Sequence, residues 1–350
     1  MPKRKISYGI VGAGIIADTH ANALAMSKNS KLTAVYDRDP RRSRDFAAKY
    51  KVKSFNSLEA FLKDREIDVV TIAVPSGLHA EIAIPAANAG KHILCEKPLD
   101  INIEKAESII NACRRNKVLL STVFQLRLSP EIQKIKRVLS KGLFGKIIHI
   151  SARIKWFRSQ EYYDSVAWRG AWAIAGGGAL MTQGIHDLDL LLYLNGNPVE
   201  VCAFTGTLTH TGIEVEDNAV VSVRWPNGSL GTIEASTSCN PPFPRRLEIT
   251  GERGSVVLED GKIIRWDLQD GNTEVSGSFP GGGTSDPASI SSQGHCQQIE
   301  ELSEAILNGS QVLSLPGEEG LRSIRFINAV YESAGSGKVV TFNRKNTLIY

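Results

Sequence analysis

With 350 residues, 42% hydrophobic and 22% charged, the chain has the composition of an ordinary soluble globular protein, which excludes disordered, collagen-like and coiled-coil classes. Its length favours two domains with a substantial core. The 41 basic and 37 acidic residues leave a formal charge of +4, too small and too dispersed to point to nucleic acid or a membrane surface.

The first third alternates short β-branched runs with helix-like stretches. Strands are expected at 6–11, 31–37, 68–74, 92–95 and 118–124. They are buried-type runs and not alternating ones, as expected for a parallel sheet covered on both faces. Helices are expected between them, at 15–26, 40–50, 57–63, 78–89 and 103–116. This grammar predicts a doubly wound α/β domain over 1–124.

Gly12-Ala13-Gly14-Ile15-Ile16-Ala17 closes the first strand and opens the first helix, matching G-x-G-x-x-G/A. Its glycines permit a tight turn and close approach to a pyrophosphate, and the helix start offers N–H donors and partial positive charge. Asp37, at the end of the second strand, is suited to accept the adenosine ribose hydroxyls and to repel a 2′-phosphate, which favours NAD over NADP. Arg38, Arg41 and Arg42 either cover the adenine or form a solvated helix start.

Glu96-Lys97-Pro98 follows the strand at 92–95, at the carboxyl edge where open α/β sheets bind ligands. A lysine there, partly desolvated beside a nicotinamide cation, is expected to lose basicity toward a useful acid–base range, and Pro98 holds Lys97 extended.

After residue 124 the pattern changes. A helix at 130–141 is followed by an alternating strand with Ile148, Ile150, Ala152 and Ile154 on one face and His149, Ser151, Arg153 and Lys155 on the other. Further strands at 219–225 and 230–237 are joined by Pro226-Asn227-Gly228; two more flank residues 251–254, and Glu259-Asp260-Gly261-Lys262 makes another turn. Serial hairpins predict an open, mainly antiparallel sheet in an α+β domain over 125–350, with helices at 174–194, 293–307 and 318–333 available to cover it. The Gly/Ser/Pro-rich stretch 276–293 reads as a surface loop.

Thr182, His186, Asp189 and Tyr193 recur at helical spacing, making one polar stripe on an apolar helix. The stripe is either the wall of a ligand cavity or a buried hydrogen-bond network. No metal is expected, because no further ligands at suitable spacing accompany His186 and Asp189. The five cysteines are odd in number and widely spaced, with no C-x-x-C pair, and neither a signal-type nor a spanning apolar run stands out; the chain reads as cytoplasmic.

Taken in order, Gly12-x-Gly14-x-x-Ala17, Ala73-Val74-Pro75-Ser76-Gly77-Leu78-His79, Glu96-Lys97-Pro98, and Gly176-Gly177-Gly178 running to Gly184-Ile185-His186 with Asp189 resemble the glucose-fructose oxidoreductase and inositol dehydrogenase family (Gfo/Idh/MocA). The resemblance implies an N-terminal Rossmann domain, a C-terminal substrate-binding and oligomerisation domain, and NAD-dependent oxidation of a secondary alcohol on a sugar, inositol or sugar derivative. It makes Lys97 and His186 the catalytic pair. Cofactor contacts fall to Gly12, Gly14, Ile15, Ile16, Asp37, Arg38, Val74, Pro75, Ser76, His79, Glu96, Lys97, Gln125, Trp168 and Arg169. Substrate contacts fall to Lys97, Lys155, Tyr163, Thr182, Gln183, His186 and His295, with Arg158, Tyr162 and Arg127 considered beside them. Many members carry an aspartate four residues before the histidine, where this chain has Thr182. Two alternatives to net dehydrogenation stay open: glycoside cleavage assisted by transient oxidation, as the resemblance implies for some members, and a non-catalytic nucleotide sensor, which the Thr182 departure motivates. A homodimer or homotetramer through the C-terminal sheet is expected.

Overall fold

The computed structural model describes residues 4–269, 292–342 and 348–349. In chain order its elements begin β1 (Ile6–Val11), α1 (Ile15–Met26), β2 (Ser30–Tyr36), α2 (Pro40–Tyr50), β3 (Lys53–Phe55), α3 (Leu58–Lys63), β4 (Val69–Ile72), α4 (His79–Asn88), β5 (His92–Cys95), α5 (Ile103–Asn116) and β6 (Leu120–Thr122). They continue with α6 (Pro130–Ser140), β7 (Ile147–Lys155), α7 (Gln160–Asp164), α8 (Trp172–Ala175), α9 (Ile185–Asn195), β8 (Glu200–Gly206), β9 (Asn218–Arg224) and β10 (Leu230–Ser236). The last are β11 (Arg246–Gly251), β12 (Gly254–Glu259), β13 (Lys262–Leu268), α10 (Ser292–Asn308), α11 (Gly317–Ser336), β14 (Val340–Phe342) and β15 (Leu348–Ile349). Among the described residues no helix is long and apolar enough to cross a membrane.

Two compact units result: Met1–Gln125 with Ser291–Ile324, and Leu126–Ile290 with Arg325–Tyr350. The first is built on a six-stranded sheet in the order β3-β2-β1-β4-β5-β6, with every pairing parallel. The order reverses between β1 and β4, so the segments leaving the carboxyl ends of β1, β2, β4 and β5 border a topological switch point. β1 is buried along its whole length, Ser7 included, as a central strand of a parallel sheet covered on both faces is. The three-residue edge strand β3, half polar, lay below the reach of the sequence pattern.

One helix belongs elsewhere than expected. The segment 293–307, read as cover for the antiparallel sheet, is the body of α10 and packs in the first unit. Ile299, Leu302 and Ala305 enter the core formed by Ile6, Tyr8 and Ile10 with Ala17, Ala21 and Leu24 of α1. Tyr8 Oη lies 2.8 Å from Ser303 Oγ, and Gln298 Nε2 donates to the Thr122 carbonyl at 2.7 Å. The apolar stripe announced a buried helix face without saying which sheet it faces. The stretch 276–293 lies outside the described residues, apart from 292 and 293, which open α10.

The second unit carries a nine-stranded sheet, β13-β12-β11-β7-β10-β9-β8-β14-β15, antiparallel except for the β7–β10 pair. Two expected turns hold: Gly228 takes φ +84° between β9 and β10, and Asp260 (+45°) with Gly261 (+79°) closes β12 on β13. Strands β8, β14 and β15 were not expected from the sequence. In β7, Ile150, Ala152 and Ile154 are buried as predicted, but Ile148 is 51% exposed. The register against β11 shifts there, pairing His149 with Thr250 and Ile147 with Gly251, so Ile148 is the extra residue of a bulge and Ile147 takes its inward place.

Candidate active site

The dinucleotide loop is fixed by close backbone packing and by a carboxylate. Gly12 adopts φ +98°, and a Cβ there would lie 2.4 Å from the Ala73 carbonyl oxygen, so no other residue fits. Gly14 has nothing within 4 Å of the place where a Cβ would stand, and no side chain caps α1. The first-turn N–H groups and the positive helix end are thus left for an anion. Asp37 Oδ2 accepts the Ala13 N–H at 2.6 Å and Oδ1 accepts the Asp39 N–H at 2.8 Å, fixing the carboxylate beside the loop. Ile15 and Arg38 are exposed, and Ile16, Val74 and Pro75 are half-buried along the same edge, with Ser76 buried behind them. These features fit a nicotinamide dinucleotide: an open glycine, an uncapped helix start, and a ribose-length acceptor at the end of β2.

His79, read from the sequence as a cofactor contact, is buried. Its ring nitrogens lie 3.0 Å from the Val74 carbonyl and 2.9 Å from that of Pro98, so it ties the β4 loop to the β5 loop from behind. Lys97 is half-buried just past β5, and the Lys97–Pro98 peptide is cis. Gln125 is buried beside Gly294, where an added Cβ would come within 3.1 Å of the Gln125 Cβ.

Behind Lys97 lies a cluster of which the sequence revealed only parts. Glu96 is buried, and its Oε1 is 2.8 Å from His20 Nε2 and 3.6 Å from His295 Nε2. Burial pushes the Glu96 carboxyl upward, but the His20 hydrogen bond and the His295 imidazole outweigh it and hold the group well below its ordinary range. Burial lowers His20, which is therefore neutral. The three ligand atoms lie within 4.8 Å of one another, compact enough for a metal ion. However, neither His20 Nδ1 nor His295 Nδ1 has a hydrogen-bond partner among the described residues. A metal on both Nε2 atoms would move the protons to those Nδ1 atoms and strand two buried donors. With Nε2–H directed at the carboxylate, no proton is stranded. His295, expected to touch substrate, is 2% exposed and faces this cluster.

In the second unit the expected continuous helix over 174–194 is broken. Gly176 (φ +70°) ends α8, a Cβ at Gly177 would lie 2.0 Å from Tyr331 Oη, and one at Gly178 would lie 1.9 Å from the Glu216 carbonyl. A single wide π-type turn, Ala179–Gly184, then leads into α9. The Glu216 carboxylate anchors this turn, accepting the Gly178 and Leu180 N–H groups at 2.9 Å each and the Tyr331 hydroxyl at 3.0 Å.

The polar stripe divides accordingly. Asp189 is buried and forms a two-pronged pair with Arg127, Nε–Oδ2 2.7 Å and Nη2–Oδ1 2.5 Å. The Arg127 guanidinium stands 4.7 Å over the Tyr193 ring, and Tyr193 Oη accepts from Gln133 Nε2 at 3.2 Å. That half of the stripe is a satisfied internal network, and Arg127 is taken up in it instead of facing substrate. Thr182 and His186 stand at the half-buried end, with Thr182 Oγ1 donating to the Gly178 carbonyl at 2.7 Å.

Gln183 links this end to an aromatic and basic cluster. It accepts from Arg158 Nη2 at 2.8 Å and donates to Tyr162 Oη at 3.1 Å. Arg169 donates to the Tyr162 carbonyl at 2.8 Å, with its guanidinium 4.2 Å from the Tyr162 ring and 5.9 Å from that of Trp168. Tyr163 is buried, its hydroxyl 2.9 Å from Thr237 Oγ1. Lys155 does not join. Strand alternation places it on the sheet face opposite Ile154, whereas Gly184 of the wide turn lies on the Ile154 side. Lys155 pairs instead with Glu234 at 2.8 Å and covers the Phe243 ring.

Beside His186, Asp187 is wholly buried and pushed up to about 6, chiefly by burial and only partly relieved by Arg245, whose Nε is 3.5 Å away. The folded chain therefore holds this proton where the unfolded chain has lost it, and stability falls as pH rises from about 4 to 6. The expected loss is on the order of 2–3 kcal/mol. Denaturant titrations at several pH values should show this decline in the native chain and a flatter profile in Asp187→Asn.

A parallel doubly wound sheet opening on an uncapped glycine loop, with a carboxylate at the end of β2 and a mainly antiparallel sheet to follow, defines the two-domain nicotinamide-dinucleotide oxidoreductases. Residues 6–124 match the Gfo/Idh/MocA model described as an oxidoreductase family with an NAD-binding Rossmann fold, and residues 132–257 match the Gfo/Idh/MocA C-terminal domain. The chain belongs to this family. The WlbA dehydrogenase of Bordetella pertussis, solved with NADH and UDP-GlcNAcA, superposes with a TM-score of 0.86 at 31% identity, over 97% of this chain and 99% of that one. The scyllo-inositol 2-dehydrogenase (NADP(+)) IolU of Bacillus subtilis is 30% identical over 73% of this chain and 76% of its own length. The 2,7-anhydro-N-acetylneuraminate hydratase of Escherichia coli is 29% identical over 73% of this chain and 68% of its own.

Proposed function

We propose that this chain is an NAD-dependent dehydrogenase that transfers a hydride between nicotinamide and a secondary alcohol of a sugar, inositol or sugar derivative. The observation that carries the reading is Lys97, held half-buried past β5 on the sheet edge that also bears the Gly12–Gly14 loop and Asp37. Bound nicotinamide supplies the hydride acceptor. Lys97 orients the reacting hydroxyl and stabilises the charge that grows on its oxygen, and His186 exchanges the hydroxyl proton. Thr182, Gln183 and the Arg158–Tyr162–Arg169–Trp168 cluster form the substrate wall of the second unit; flat aromatic faces beside guanidinium groups suit sugar rings and their anionic substituents. Relatives named as acting on scyllo-inositol and bound to UDP-GlcNAcA support the substrate class. Incubation with NAD and a panel of sugars, inositols and glycosides tests it: NADH accumulates with at least one secondary alcohol, and no accumulation with any of them rejects it.

The hydratase among the relatives favours a second reading, in which oxidation is transient and the cofactor is recycled. Product release without NADH accumulation in the same panel selects it.

Asp37 makes NAD the preferred cofactor, although one relative is named for NADP(+). In Asp37→Ala the kcat/KM ratio of NAD to NADP should fall at least tenfold, because the ribose acceptor and the repulsion of a 2′-phosphate are both lost. An unchanged ratio assigns the discrimination elsewhere. All five cysteines are free thiols, which suits a cytoplasmic location. Phe204 and Val220, paired across β8 and β9, stand exposed on the outward sheet face, which supports a homodimer or homotetramer through that face. Phe204→Glu should shift sedimentation toward the monomer.

A further inference from the structure

We infer that His20 and His295 are positioning residues for Lys97: from two helices they hold the Glu96 carboxylate, which in turn holds the Lys97 backbone N–H. The inference rests on the reading of Lys97 as the group that meets the reacting hydroxyl.

Both Glu96 oxygens are engaged, in opposite directions. Oε1 takes the His20 hydrogen bond at 2.8 Å and has His295 Nε2 at 3.6 Å; Oε2 accepts the Lys97 N–H at 3.2 Å. The imidazole rings stand perpendicular, at 87°, with centroids 5.0 Å apart, so both can direct an Nε2–H at one oxygen without stacking. His20 belongs to α1, whose N-terminus carries the dinucleotide loop, and His295 to α10, which packs on α1 through the shared core. The carboxylate thereby couples the backbone of Lys97 to the helix that bears the cofactor loop. On the other side, His79 holds the Pro98 carbonyl at 2.9 Å. A side chain that must meet a substrate oxygen to within a few tenths of an ångström needs its Cα fixed, and here that constraint comes from groups that themselves touch no ligand.

The chemistry of the cluster suits this role. A buried carboxylate that accepts from an imidazole and from a backbone N–H is a strong, directional acceptor. Loss of the His20 donor leaves the charge under-solvated, so the carboxylate must turn or take up a proton, and its bond to the Lys97 N–H weakens with it.

The test compares His20→Leu and His295→Leu with His20→Gln and His295→Gln, since glutamine restores an N–H donor. Each is read by kcat and KM on the substrate found in the panel, by hydrogen exchange at the Lys97 amide, and by thermal unfolding to confirm folding. Expected are loss of Lys97 amide protection and at least a tenfold fall in kcat in His20→Leu, a smaller fall in His295→Leu, KM for NAD within threefold, and recovery of most of both losses in the glutamine variants. Unchanged amide protection in folded leucine variants overturns the inference, as does lost protection with unchanged kcat. If the native chain oxidises no alcohol while amide protection falls with leucine and returns with glutamine, the hold on Lys97 stands and the dehydrogenase reading falls.

Discussion

Lys97→Ala should lower kcat by 10²- to 10⁴-fold while NAD affinity stays within about threefold. The two effects separate because the groups that bind the dinucleotide and the group that meets the alcohol come from different strands of the same sheet. In the proposed function affinity rests on the Gly12–Gly14 turn, the uncapped start of α1 and Asp37, which follow β1 and β2, whereas Lys97 follows β5. Truncating Lys97 leaves that loop intact: the Ala73 carbonyl still packs on Gly12, and His79 still joins the β4 and β5 loops through backbone carbonyls. What disappears, on the proposed mechanism, is a hydrogen-bond donor at the place where the alcohol oxygen gains charge. Steady-state kinetics combined with NADH fluorescence titration measures both quantities. A variant that keeps turnover removes Lys97 from the chemistry, and one that loses NAD affinity in proportion makes it a binding residue only. Lys97→Arg should recover little, because a planar guanidinium cannot occupy the same point as a compact ammonium.

What could be read before the structure, and what could not, follows from the range of the forces involved. β1, β5 and the helices between β1 and β6 were legible because apolar runs and 3.6-residue stripes are local signals, and the places of Gly12, Asp37 and Lys97 just past strand ends were legible because each sits at a fixed offset from an apolar run. His20 was not. It looks like a lone histidine on the apolar face of α1 beside Ala17, Ala21 and Leu24, and only tertiary contact reveals Glu96 and His295. The break before α9 was hidden for the same reason. Leu180, Ile185 and Leu188 keep a helical stripe through it, while the groups that enforce the wide turn, Glu216 and Tyr331, lie far along the chain. Lys155 was misjudged because alternation in β7 shows two faces without saying which one the wide turn covers. The address of α10 was missed because burial of a stripe does not name its partner.

The stripe of Thr182, His186, Asp189 and Tyr193 is where sequence reasoning left two outcomes open, and Asp189 allows them to be separated by measurement. If Asp189 served the chemistry, Asp189→Asn would lower kcat in a stably folded protein. The geometry predicts a different loss. The Asp189 and Arg127 side chains are 1% and 3% exposed, so each is the other's principal compensation for leaving water. Removing one partner of such a buried pair breaks both hydrogen bonds of the other charge, at a cost of about 3–5 kcal/mol. For a unit of this size that corresponds to a fall in Tm of roughly 6–20 °C in Asp189→Ala. The guanidinium also covers the Tyr193 ring, so its displacement disturbs Gln133, which donates to both the Arg127 carbonyl and Tyr193 Oη. Removing both charges should be far milder: Arg127→Met with Asp189→Leu buries apolar groups of similar bulk and leaves neither charge unpaired, so it should recover most of the stability lost in the single variant. Calorimetry on Arg127→Met, Asp189→Leu and the double variant, with kcat per folded site measured alongside, completes the cycle. Recovery of Tm with kcat near the native value assigns Asp189 to holding α9 in place beneath His186; recovery of Tm with kcat still depressed assigns it to the reaction itself.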